Sequence, residues 1–231
     1  RLPGERIGDV VLIDPGDPEA VVGVNLIEAE SDIQQNYLVS ELSNMMYALF
    51  DPEHKVIIGP RFETMMRQAV LLLQSDKRIP ASILDVPTLF SDPAVRKHLV
   101  DAITDDPLLI EYWKGEVAQN RSSEWGEVLS WFRSKFEVFR TSKLMRGVVG
   151  QAESTVSFSK VINQGRILLV NLSKGALGEY NSALLGHVIM MKLWGAILER
   201  GSVPAHQRRP FYLFVDEFQS FTTDSLDSML A

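Results

Sequence analysis

Residues 211–215, Phe-Tyr-Leu-Phe-Val, run directly into Asp216 and Glu217. An apolar strand ending in two acids would set both carboxylates at the carboxyl edge of a parallel sheet, where open α/β folds bind ligands. Successive strand residues point to opposite faces, so the two acids suit two separate jobs. In metal-assisted cleavage of a phosphoanhydride, one carboxylate holds the water shell of Mg²⁺ and the other polarises the attacking water. Asp216 then takes the metal-associated role and Glu217 the catalytic one. The plainer alternative is a strand closed by two solvated acids, and so short a string does not identify a site on its own.

Asp14 ends a second apolar run, Val10-Val11-Leu12-Ile13, and opens the turn Asp14-Pro15-Gly16-Asp17-Pro18. A site carboxylate fits there, although capping a tight turn is the commoner use of such an Asp. Residues 173–179, Ser-Lys-Gly-Ala-Leu-Gly-Glu, form a glycine-bearing loop ahead of a helix. A phosphate-cradling loop needs Gly-x-x-x-x-Gly-Lys-Ser/Thr, which occurs nowhere in the chain, so this loop reads as a turn with Lys174 at its rim. His54, His98, His187 and His206 show no metal-ligand spacing. No Gly-x-Ser-x-Gly element exists, and with no cysteine there is no thiolate chemistry. Arg121, Arg133, Lys135, Arg140, Lys143 and Arg146 outnumber the acids among them; a DNA-facing patch is one reading and a solvated helix face the plainer one. The four tryptophans fall at or beside helical core positions, where packing outweighs base stacking.

The elements that must position these groups are of two kinds. The runs at 10–13, 167–172 and 211–215 are continuous rather than alternating, the pattern of a parallel sheet covered on both faces. Residues 181–200 have helical spacing and are apolar nearly all round, as expected of a buried crossover helix. Amphipathic helices are predicted over 40–50, 61–74, 93–103 and 125–139, the third opening with Pro93 after an Asp92 cap. The resulting expectation is an α/β fold formed by residues 1–30 and 155–231, interrupted by an all-α insertion over 31–154.

Composition bounds the rest. The 231 residues are 45% apolar and 23% charged, an ordinary globular balance. Thirty acids against 23 bases give a net charge of −7, so no global attraction to nucleic acid or to an anionic membrane exists. The most apolar helical stretch carries His187 and Lys192, and the sequence shows no membrane segment. The absence of cysteine fits a reducing compartment.

Several segments, in order, resemble one family. "DVVLIDPGDP" looks like the second strand of the HerA/FtsK-type ATPases, in the branch of type IV secretion and conjugative coupling proteins (TraD- and TraG-like). "IIGPRFETMMRQAVLLL" is similar to the helix that opens that branch's helical insertion, and "GRILLVNLSKGALGE" to the returning strand. "RRPFYLFVDEFQSF" resembles its Walker B strand with an Asp-Glu-Phe-Gln extension. The resemblance implies a RecA-like parallel sheet flanked by helices, with ATP and Mg²⁺ as cofactors. It matches Asp216 to the Mg²⁺-associated acid, Glu217 to the catalytic glutamate, Gln219 to a polar residue beside them, and Asp14 to the acidic end of the second strand. It places a Walker A loop before residue 1 and sensor and arginine-finger segments after residue 231. The implied function is an ATP-driven DNA translocase that forms a homo-oligomeric ring, a hexamer. The implied partners are DNA and secretion-channel or relaxosome proteins, at the cytoplasmic face of a bacterial inner membrane. Two alternatives are a HerA-like helicase and a helical recognition module for an accessory protein.

Overall fold

Ser31 opens the first long helix, α1 (Asp32–Phe50), and its side chain accepts a hydrogen bond from the Gln34 amide. Gln34 reaches back with Oε1 to accept from the amide of Glu30, the residue ahead of the cap, which fixes the entry of the chain into the helix. The structure is a computed structural model that describes residues 3–17, 19, 22–51, 58–76, 78–103, 106–120 and 122–217. Ahead of α1, a 3-10 turn (Gly4–Asp9) leads into strand β1 (Val10–Ile13). After it, Pro60 starts α2 (Pro60–Gln74), where its missing N–H costs nothing. A turn capped by Ser82 and Asp85 leads into α3 (Val86–Ser91). Asp92 then caps α4 (Pro93–Ala102), its Oδ1 accepting from the amides of Ala94 and Val95.

The chain continues as α5 (Pro107–Glu111), which widens directly into a π-helical turn, Tyr112–Val117. The predicted 125–139 helix is two: α6 (Ser123–Ser134) and α7 (Glu137–Thr141), broken at Lys135–Phe136. Phe132, Phe136 and Phe139, spaced four and three apart, share one face and stay fully buried on both sides of the break. Then follow α8 (Lys143–Val149), α9 (Phe158–Gln164), β2 (Ile167–Val170), α10 (Lys174–Leu177) and α11 (Glu179–Glu199).

The core is aromatic and helical. Phe62 of α2 lies 5.1 Å from Phe132, which lies 5.0 Å from Phe136 and 5.1 Å from Phe90, all ring to ring. Such offset and edge contacts add to the burial of large apolar area. One apolar cluster runs from Ile13 through these helices to Ala196. Asn25 pins its edge: buried itself, it donates through Nδ2 to the carbonyls of Ala81 and Ala152 and accepts from the Ile27 amide. The helix Glu179–Ser202 is long and apolar enough to cross a bilayer, but 61% of that window is buried inside the molecule. Its α11 portion packs most extensively on α1 and α9, so it is a core helix.

The expected RecA-like parallel sheet flanked by helices is not what forms. Among the described residues the sheet has two strands, β1 and β2, parallel and in register from Val10↔Ile167 to Ile13↔Val170. Helices make up nearly all other regular structure. Residues 211–215 form no strand: they have no ladder partner among the described residues, and Tyr212 and Phe214 are 77% and 91% exposed. Burial on both faces fails as well, because the register partners Leu12 and Leu169 are 53% and 47% exposed. The reason is coverage. A continuous apolar run becomes a buried strand only where neighbours supply hydrogen bonds at its edges and side chains on its faces. Here one side of the strand pair is covered, with Ile13 buried and Leu168 and Val170 packed on the core cluster, while Leu12 and Leu169 stay exposed on the other.

Candidate functional site

The turn after α9 organises the site. Gly165 adopts φ +66°, the left-handed conformation that glycine takes without steric penalty. The Arg166 amide then bonds the Val161 carbonyl and the Gly165 amide the Ile162 carbonyl, closing the end of α9 as a Schellman motif. Two arginines finish the cap: Arg6 Nη2 donates to Gly165 O at 2.9 Å, and Arg209 Nη1 to Gln164 O at 3.0 Å. The Arg209 guanidinium lies where a Cβ on residue 165 would go. Arg200 in turn donates to the Arg209 carbonyl. Residues 210–217 thus leave from beside the start of β2 as an anchored strap.

Between the strap, β2 and the first half of α11 opens a cleft of about 870 Å³. Its floor is apolar, from Gly186, Ile189, Met190 and Leu193 of α11. Ser182 donates to Leu172 O at 2.7 Å, fastening this helix to the chain leaving β2. Asn171 and Lys174 stand on one side of the cleft; Asp216 and Glu217 stand on the strap side. Lys174 also forms a 3.9 Å ion pair with Glu179. Asp216 Oδ1 accepts from the Glu217 amide at 2.9 Å, and Glu217 takes φ 52°. A non-glycine residue there stores roughly 1 kcal/mol or more of strain, a cost that recurs at functional positions.

The expected site residues are therefore only partly brought together. Asp216 and Glu217 line the cleft as an exposed turn and not as the end of a sheet strand. Asp14 does not line it. Its Oδ2 accepts from Asn171 Nδ2 at 2.8 Å and its Oδ1 from the Gly16 amide at 3.1 Å, so it caps its own turn and orients Asn171. Gln219 lies outside the described residues, as do His54 and Arg121. Arg140 pairs with Glu137 at 3.5 Å, and Lys135 sits over the rings of Phe50 and Trp131. Arg133, Arg140, Lys143 and Arg146 are exposed, as solvated helix faces. Burial lowers the His187 pKa on α11. Lys192, further along α11, donates to Glu28 O at 2.6 Å; burial pulls its pKa down to about 8, with Glu28 and Glu30 acting against that. Among the described residues no group of three or more His, Asp or Glu is placed to hold a metal ion.

Residues overlooked in the sequence include Asn171, Arg6 and Arg209. The legible signal for this hub was Gly165 itself, a glycine one step past a helical segment. Comparison with family models, with curated proteins and with solved structures finds no match to this chain.

Proposed function

We propose that this chain is part of an ATP-driven DNA-translocating motor of the conjugative coupling type, with its hydrolytic acids on the strap. The reading rests on site chemistry and on the resemblance of the segments around it, and does not call on a RecA-like sheet. One observation carries it: Asp216 and Glu217 line an 870 Å³ cleft that Lys174 and Asn171 also line, with Glu217 at a positive φ of 52°. Mg²⁺ is commonly held by one or two carboxylates together with substrate phosphates and waters, so a lone Asp216 suits it. Bound Mg²⁺-ATP supplies the anhydride and the charge neutralisation. Glu217 orients water and accepts its proton, and Lys174 offers a positive charge to phosphate oxygens. Contact with DNA falls to local surfaces of an assembled ring, because the net charge of −7 gives no general attraction.

The test uses the protein expressed from its complete reading frame. Glu217→Gln is expected to lower Mg²⁺-ATP turnover by about 10²-fold or more while leaving nucleotide binding intact. Unchanged turnover would reject the assignment.

A further inference from the structure

The structure assigns a second ligand site, remote from the strap: we propose that a pocket in the helical body binds a small amphipathic anion, a flat apolar body carrying one carboxylate-type head. This pocket of about 460 Å³ lies among α3, α4, the π-helical turn and α6. That volume falls within the range of sites that enclose one compact small molecule. Its floor is apolar and aromatic, from Phe90, Val100, Trp113, Val117 and Trp125, all buried. Phe90 and Trp113 lie 5.0 Å apart with their rings tilted, so the floor is set by mutual packing and is preformed.

The lining's charge is opposite to that of the whole chain. Arg96, Lys97 and Lys114 line the pocket together with one acid, Asp101. Lys97 lies 2.6 Å from Asp101 and Lys114 3.5 Å from it, so one carboxylate is shared by two ammonium groups. Arg96 donates to the Leu89 carbonyl at 2.8 Å, which holds its charge at the pocket edge. A net positive rim over a dry aromatic floor selects an anion with an apolar body; a cation meets repulsion and a purely polar anion gains nothing from the floor. The buried rings of Trp113 and Trp125 do not present a row of open faces, so a stacked nucleic acid strand is not the occupant.

The wall supplies an independent observation. Trp113, Lys114 and Val117 all belong to the π-helical turn Tyr112–Val117. Such turns are rare and recur at functional sites, because the extra residue per turn re-aims side chains at the expense of regular hydrogen bonding. Here it delivers floor and rim from one short segment.

The experiment follows the indole N–H resonances of the chain's four tryptophans during titration with naphthoate, and separately with naphthylmethylammonium. Naphthoate is expected to shift the Trp113 and Trp125 signals saturably and to leave Trp194 in place. The ammonium analogue should bind about tenfold more weakly or worse, about 1.4 kcal/mol. Lys97→Gln combined with Lys114→Gln changes two exposed side chains and should weaken naphthoate about fivefold without altering the unliganded spectrum. Absence of a saturable shift at Trp113 and Trp125, equal binding of the cation, or undiminished binding by the double variant would overturn the site.

Discussion

The helical body and the small sheet use the same kinds of apolar residue to opposite ends. In the body, Phe62, Phe132, Phe136 and Phe139 are fully buried against one another. At the sheet, Leu12 and Leu169 are exposed, as are Tyr212 and Phe214 on the strap beside it. An amphipathic helix satisfies its own backbone and needs only one covered face. A strand needs partners on two edges and cover on two faces, so its apolarity is a demand that other segments must meet. Apolar content therefore forecasts burial for the first kind of element and only opportunity for the second.

The contrast is broken most sharply by truncating one phenylalanine from each region. Phe132→Ala should cost about 3–5 kcal/mol in urea-induced unfolding, since it empties the centre of the aromatic cluster. Equal tolerance of this change would erase the distinction between the regions. Next comes Lys192, which ties the body to the segment ahead of α1. Its folded pKa of about 8 lies below the unfolded value of 10.5, so the unfolded chain binds more protons between those values. Stability should therefore rise as pH rises from 7.5 towards 9.5, by at most about 2 kcal/mol, and the rise should vanish in Lys192→Met. A third change tests the hub beneath the strap. Gly165→Ala should cost about 1–2 kcal/mol from its positive φ, and Arg209→Ala should remove any added steric part of the loss. Smallest of all is Phe214→Ser, expected to shift unfolding by less than about 0.5 kcal/mol because its ring is already in water.

Much of the body was legible. Pro60, the Asp92–Pro93 pair and the apolar spacing of 61–74 and 181–200 mark helices that form close to where the sequence puts them. The start of α1 was missed by eight residues, although Ser31-Asp32-Ile33-Gln34 spells a capping box. The break at Lys135–Phe136 was invisible, because Val128, Phe132, Phe136 and Phe139 keep helical spacing across it and only tertiary packing of the rings reveals the kink. At the candidate site, adjacency in the chain delivered Asp216 and Glu217 together, which no folding event could undo. Strand status for 211–215 was a long-range property, decided by pairing that local residues do not encode. Asp14 behaved as the turn chemistry of Asp-Pro-Gly-Asp dictates.

The Schellman turn at Gly165 has a consequence for how the molecule breathes. Arg6 and Arg209 come from opposite ends of the described chain, yet each reads a neighbouring carbonyl of that single turn. Fraying of α9 by one residue releases both anchors in the same event. Solvent exchange at the Gly165 and Arg166 amides is then a common clock for the amino-terminal arm and for the segment that carries the two acids.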